Sequence, residues 1–329
     1  MRRAIITGAT GAIGMALAEL LIKENIEVLV LTRSESKRNE RLRKLADSFG
    51  NGLMQIVECD YSGLSEMEND TGKEWDCFFH LAWAGASGPG RNDMYLQNGN
   101  VRMSLDAVAL AKRFGCKKFV GAGSQAEYGR PYMRIENEAH SARSNATFDE
   151  RYRLRPDTPP FPEMGYGYAK LCAGQMTRDH AHQLGLEHNW LRVLSVFGPY
   201  DGDSILMQAV RSFKDGISPD FTKGEQIWDF VYSKDAALAF YDVAEKGTDG
   251  KTYVLGSGAE RPLAKYLSIA RDIICPGLEL KLGTRPYGEN QVMFLAADTS
   301  ELKNDTGFEC RYTFEEGIRD WIKKGLPYV

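Results

Sequence analysis

Thr7-Gly8-Ala9-Thr10-Gly11-Ala12-Ile13-Gly14 stands between an apolar run at 4–7 and a stretch of helical spacing at 13–24, where Ile13, Leu17, Leu20 and Leu21 share one face. This is G-x-x-G-x-x-G at a strand-to-helix turn. Glycine removes the Cβ where a backbone must turn tightly and approach a pyrophosphate, and the helix that follows offers free N–H groups and the positive end of its dipole. The spacing therefore predicts a dinucleotide-phosphate site at Gly8, Gly11 and Gly14, with Ala12 and Ile13 supplying first-turn amides.

Outward from this turn, short apolar runs at 27–31, 53–58, 76–82, 117–122 and 188–194 alternate with helical patterns at 37–48, 92–114 and 166–184. Strands separated by helices predict a parallel sheet with crossover helices, and near-continuous apolar strands predict a sheet covered on both faces. The expected fold is α/β: a Rossmann-type doubly wound parallel sheet with a second, smaller mixed α/β substrate domain. Beyond 197 the rhythm changes, with helical patterns at 203–214, 234–246, 262–274 and 313–324 and short strands at 227–232, 251–255, 278–282 and 293–296. The predicted division is discontinuous: 1–198 with 226–256 for the dinucleotide-binding part, and 199–225 with 257–329 for the small part. Residues 130–163 carry little periodicity and are rich in Arg and Pro, as expected of a lid, a binding loop or a disordered segment.

Composition excludes several classes. The 329 residues carry 41 basic and 45 acidic side chains, a net charge of −4, with 43% hydrophobic and 26% charged residues. This balance gives no reason to expect a nucleic-acid or polybasic membrane surface. No apolar run approaches the ~18–20 residues of a membrane span, and the apolar stretch after Arg3 is too short for a signal peptide. Six scattered cysteines form no C-x-x-C pair, which fits reduced thiols in the cytoplasm. His180 and His182, at i and i+2 of a helix, point apart, and no metal is expected.

An NAD site usually places an acid about 20 residues past the glycines to bind the ribose 2′-hydroxyl. Here that place is Thr32, followed by Arg33, with Lys37 and Arg38 close behind. Without a carboxylate a 2′-phosphate is not repelled, and Arg33 can bind it through a charge-assisted fork. NADP is thus preferred over NAD; the alternative is that these cations are a solvated helix start. Asp60, after the third strand, can accept from an adenine amino group or cap a turn.

Tyr166 and Lys170, at i and i+4, share a helical face. A phenol is a poor base near neutrality until a neighbouring ammonium stabilises its phenolate. Ser124 ends the fifth strand; it can hydrogen-bond a substrate oxygen, or simply cap the strand.

With these segments in view, the chain resembles the extended short-chain dehydrogenase/reductases of the nucleotide-sugar epimerase/dehydratase/4-ketoreductase kind. The likeness runs through Thr7–Gly14, His80-Leu81-Ala82, Asn100, Ser124 before Glu127-Tyr128-Gly129, Tyr166-x-x-x-Lys170, 192–199, 228–235 and 314–318. It implies that Ser124, Tyr166 and Lys170 are catalytic. It places Asp60 and Tyr61 beside the adenine and Leu81, Ala82 and Asn100 along the cofactor. It also implies a nucleotide-sugar in the small domain and a homodimer.

Departures narrow the reaction. The family's 4,6-dehydratases resemble one another in a Thr-Asp-Glu set; here the aligned run is Ser124-Gln125-Ala126, and Glu127 stands one place too late. Ser195 replaces an Asn common in the epimerases, and Trp228 replaces an Arg that binds the diphosphate. Trp83, Gln125, Ser195, Trp228 and Arg285 are the candidate substrate contacts, with Arg261 and Lys265 as further cations. Arg134, Arg143, Arg151 and Arg153 can fold over a substrate, or belong to a solvated or oligomer-contacting loop. The expected activity is an NADPH-dependent 4-ketoreductase. Alternatives are a nucleotide-sugar 4-epimerase, a non-sugar carbonyl reductase and a dinucleotide-sensing binding protein.

Overall fold

A computed structural model describes residues 1–33, 38–130, 152–202, 204–288 and 291–323. Arg134, Arg143, Arg151 and Lys37 lie outside the described residues, as does most of the aperiodic 130–163 segment.

Seven strands form one parallel sheet: β1 (Arg3–Thr7), β2 (Glu27–Thr32), β3 (Met54–Glu58), β4 (Cys77–His80), β5 (Lys118–Ser124), β6 (Glu187–Val193) and β7 (Thr252–Leu255). Their order is β7-β6-β5-β4-β1-β2-β3. The order reverses direction beside β1, where open α/β sheets bind ligands beyond the strand C-termini. Alternation along β1 shows how both faces are filled. Ala4 and Ile6 pack with Leu17, Ala18 and Leu21 of helix α1 (Ala12–Lys23) and with Phe240 and Val243 of the helix Ser233–Lys246. Ile5 turns to the other face, against Ala107, Val108 and Ala111 of the long helix Met94–Arg113. Successive Cβ atoms of a strand point to opposite faces, so an uninterrupted apolar run is what a doubly covered sheet requires. Each Leu fully buried here contributes about 1.5–3 kcal/mol.

Among the described residues the α-helices, in chain order, are α1, α2 (Asn39–Phe49), α3 (Met94–Arg113), α4 (Gly165–Gln183), α5 (Ile205–Lys214), α6 (Ser233–Lys246), α7 (Leu263–Ile274), α8 (Ser300–Thr306) and α9 (Phe314–Lys323). Sequence periodicity anticipates all but α8, which is too short to show a helical repeat. A second core gathers Phe213 of α5, Tyr266 of α7 and Phe314 and Trp321 of α9 around Phe197 and Phe230.

The expected single strand at 227–232 is two strands. Ile227–Trp228 pairs with Arg261–Pro262 and Phe294–Leu295, whereas Phe230–Tyr232 pairs with Ser195–Phe197. Asp229 breaks the run: its carboxylate is buried and accepts from the Ser257 amide and hydroxyl and from the Gly258 and Ala297 amides. A buried carboxylate is tolerated only with such partners, and reaching them turns the chain from one small sheet to the other. All six cysteines are unpaired. Among the described residues no helix is long and apolar enough to cross a membrane.

Candidate functional site

The glycine turn lies at the C-terminal end of β1. Gly8 adopts φ +75°, and a Cβ there would lie 2.5 Å from the Ala82 nitrogen. A Cβ on Gly14 would lie 2.3 Å from the Gly8 carbonyl oxygen. The turn is therefore packed directly on the backbone of Leu81 and Ala82. Gly11 is the N-cap residue of α1, and no side chain caps the helix. The cradle fits a dinucleotide pyrophosphate: the glycines leave the backbone bare and the first-turn amides of Ala12 and Ile13 face outward from the helix end. Burial raises the Tyr61 pKa above the usual phenol value, and the Gly8 backbone opposes that rise. Asp60 is the N-cap residue of the short turn Tyr61–Gly63, without a side-chain cap bond.

At the end of β2 the Thr32 hydroxyl is buried and donates to Asn39 Oδ1 at 2.8 Å. Asn39 in turn donates to the Arg33 carbonyl and to Glu58, which is ion-paired with Arg43. Thr32 is thereby committed inward. Arg33 is exposed at the same strand end, with a cationic charge that acts on Tyr61.

Ser124, Tyr166 and Lys170 come together. Ser124 is 7% exposed, Tyr166 8% and Lys170 4%. Ser124 acts on the Tyr166 hydroxyl. Burial raises the phenol's pKa; Ser124 and the charge of Arg91 lower it, and Glu127 raises it again. Lys170 Nζ donates to the Ala122 carbonyl at 2.6 Å and lies 3.7 Å from the Trp83 ring centroid. Burial pulls its pKa down to about 7, against the opposing pull of Glu127. Protonation of the Lys170 amine thus falls in the neutral range.

Asn100 of α3 holds the chain after β4: its Oδ1 accepts from the Ala84 amide and its Nδ2 donates to the Ala84 carbonyl, both at 2.9 Å. Trp83 donates to Gln97 Oε1 at 2.9 Å and meets Tyr166 edge-on, with centroids 6.1 Å apart. Below it, His80 bridges Thr7 Oγ1 and Ser104 Oγ at 2.9 and 3.1 Å. Burial depresses its pKa to about 3, so it is a neutral strut.

The substrate candidates separate. Trp228 Nε1 donates to Ser195 Oγ at 2.7 Å. Arg261, the cross-strand partner of Trp228, is ion-paired with Glu315 at 2.7 Å, and Arg153 with Glu260 at 2.7 Å. Arg285 is exposed, and its amide donates to the Phe221 carbonyl at 3.0 Å. Gln125 opens the single 3₁₀ turn that Ser124 caps through the Ala126 amide. His182 bonds Asp249 at 3.0 Å.

Sequence reasoning left two side chains unassigned. The Glu127 carboxylate is held by three donors: Oε1 accepts from the Ser124 amide and Trp190 Nε1, and Oε2 from Arg192 Nε at 2.7 Å. Arg91 lies over the Tyr166 ring, its Cζ 4.4 Å from the centroid. No spacing rule links Arg91 to Tyr166, because they come from different crossovers.

Comparison with known proteins adds the following. The sequence profile of the NAD dependent epimerase/dehydratase family matches residues 4–256. CDP-abequose synthase of Salmonella typhimurium is 22% identical, with 97% of each chain covered. The structure of UDP-glucose 4-epimerase from Thermotoga maritima with UDP-glucose superposes with a TM-score of 0.78 at 21% identity, covering 98% of this chain and 99% of the other. That of dTDP-glucose 4,6-dehydratase from Bacillus anthracis in complex with NAD also gives 0.78, at 17% identity and with 98% and 96% covered.

Proposed function

The chain belongs to the NAD dependent epimerase/dehydratase family, enzymes of the extended short-chain dehydrogenase/reductase type, and on that premise we propose that it reduces the 4-keto group of a nucleotide-linked hexose with NADPH. The observation that carries this reading is the end of β2. Thr32 stands where the ribose-binding acid of an NAD site is expected, it is turned inward onto Asn39, and the exposed Arg33 is left to meet a 2′-phosphate. A reductase consumes external reductant, which favours NADP(H) over a permanently held NAD.

In this reading Gly8, Gly11, Ala12, Ile13 and Gly14 hold the pyrophosphate, with Asp60 and Tyr61 beside the adenine. When bound, the dinucleotide supplies the hydride that the keto carbon receives. Tyr166 gives its hydroxyl proton to the carbonyl oxygen, Ser124 hydrogen-bonds that oxygen, and Lys170 holds the nicotinamide ribose and the positive charge that favours the phenolate. The small part, 199–225 with 257–329, holds the nucleotide-sugar against Trp83, Gln125, Ser195 and Trp228, with Arg285 and Lys265 as candidate cations for its diphosphate. A dehydratase is disfavoured because Gln125 and Ala126 carry no carboxylate and Glu127 is spent on Arg192 and Trp190.

A second reading is a 4-epimerase, which needs only the same Ser124, Tyr166 and Lys170 and is favoured by the full-length likeness to UDP-glucose 4-epimerase. Exposed Met94, Tyr95, Tyr168 and Met176 on α3 and α4 support a homodimer through these helices, and unpaired cysteines support the cytoplasm.

Nucleotide released from the purified protein, with NADPH and NADH titrations, tests the reading. NADPH binding at least tenfold tighter than NADH, lost in Arg33→Ala, is expected. Tightly held NAD(H) would overturn the reductase in favour of the epimerase. Tyr166→Phe is expected to abolish turnover and to leave dinucleotide binding intact.

A further inference from the structure

The glycine-rich stretch after β4 has a definite construction. Gly85 adopts φ +65°, and a Cβ on it would lie 2.7 Å from Leu96 Cδ2 and 2.9 Å from the Gly90 carbonyl oxygen. A Cβ on Gly90 would lie 3.0 Å from Gly85 Cα. The two ends of the loop thus touch backbone to backbone. Gln97 of α3 ties them: it donates to the Gly85 carbonyl at 3.0 Å and the Gly90 carbonyl at 2.7 Å, and accepts from Trp83 at 2.9 Å. Gln97 itself is 1% exposed, so its amide is committed to these partners and ties the loop together.

What this loop delivers is Arg91. Its Nη1 donates to the Ala86 carbonyl at 2.8 Å, within the same loop, and its Nε contacts Met164 Sδ at 3.4 Å. Asn92 accepts from the Gly165 amide at 3.0 Å, fastening the loop to the first turn of α4. Tyr166 is the next residue. The guanidinium therefore rests on the face of the phenol ring while Trp83 meets its edge. Among the described residues, the other groups acting on that phenol are Lys170, whose Nζ is 5.9 Å from the centroid, and Ser124 and the charge of Glu127. Of the two cations, Lys170 is buried and has a titratable amine, whereas a guanidinium stays charged throughout the working range.

We propose that Arg91 is a positioning residue for Tyr166, a permanent positive charge clamped by the Gln97-tied loop against the phenol face to stabilise the phenolate that proton transfer leaves behind. A cation over an aromatic face is attracted by the ring, more so when the ring carries negative charge. This rests on the reading of Tyr166 as the proton donor.

The test follows the Tyr166 phenolate directly, by ultraviolet absorbance titration of the full-length protein, subtracting the Tyr166→Phe variant. The pH–rate profile of the active enzyme gives a second readout. Arg91→Gln is expected to move the titration midpoint and the matching limb of the rate profile upward by about one pH unit. Arg91→Lys, which keeps the charge, is expected to restore most of that shift. A wild-type midpoint in Arg91→Gln, or the same displacement in Arg91→Lys as in Arg91→Gln, overturns the proposal. Turnover retained in Tyr166→Phe would instead overturn the reading of Tyr166, so the two failures are distinct.

Discussion

Trp228 donates its indole N–H to the Ser195 hydroxyl at 2.7 Å, so two of the positions at which the sequence departs from the family pattern it resembles are in contact. They come from different parts of the chain, Ser195 from the strand Ser195–Phe197 and Trp228 from the small sheet beyond the Asp229 break. Substituting one alone leaves the other's polar atom without this partner. Ser195→Ala and Trp228→Phe are expected to raise KM by similar factors, and the double variant by little more than either. A coupling of about 0.5–3 kcal/mol in a double-mutant cycle on kcat/KM is the expected measure of contact; additive losses would mean that the pair acts independently on the substrate.

Gly8→Ala combines a positive φ with a Cβ 2.5 Å from the Ala82 nitrogen. A non-glycine residue held there costs about 1–3 kcal/mol in backbone strain alone. The backbone shift that relieves the clash displaces the amides offered to the pyrophosphate. The variant is expected to melt lower and to bind NADPH at least tenfold more weakly by fluorescence titration. Gly52→Ala, also at positive φ but with nothing within 4 Å of the added Cβ, is expected to leave that affinity unchanged.

Glu127 and Arg192 form an ion pair in which both side chains are nearly water-free, 1% and 5% exposed. Removing one partner of a buried pair leaves an uncompensated charge and costs roughly 3–5 kcal/mol. Glu127→Ala also frees the Trp190 N–H and the Ser124 amide, so urea unfolding is expected to show a loss at the upper end of that range. An equal loss in Glu127→Gln would show that charge, rather than hydrogen-bond geometry, dominates.

Lys170 gives a pH signature. Burial holds its pKa at about 7 in the folded protein, below the ordinary lysine value. The unfolded chain therefore binds more protons between about 7 and 10, and stability rises with pH across that window by at most roughly 1.4 kcal/mol per unit. Below it the full cost of burying the ammonium is present. Lys170→Met is expected to be inactive yet to melt higher than the wild type at pH 7, with the gap closing toward pH 9.5. A gap independent of pH would show that the amine is protonated throughout.

The sheet was legible because its signals are local. Residues 4–6 and 28–31 are buried on both faces of the sheet and so read as uninterrupted apolar runs, and the glycine turn needs only its own spacing and context. The split at Asp229 was not legible, because that residue's reason for leaving the strand is a set of amides from Ser257, Gly258 and Ala297. Glu127 could be recognised as out of register for elimination chemistry, yet its actual partner, Arg192, is on the next strand.

The sequence by itself determined the parallel α/β sheet, the place of the glycine turn and the face shared by Tyr166 and Lys170, since strand alternation, turn sterics and helical repeat act over a few residues. Only the tertiary structure decided that Thr32 turns inward to Asn39, that Ser195 and Trp228 meet, and that Arg91 lies on Tyr166. These relations join residues from separate crossovers, and no local rule of spacing specifies which charges and hydrogen-bonding groups a sheet and its loops bring within a few ångströms.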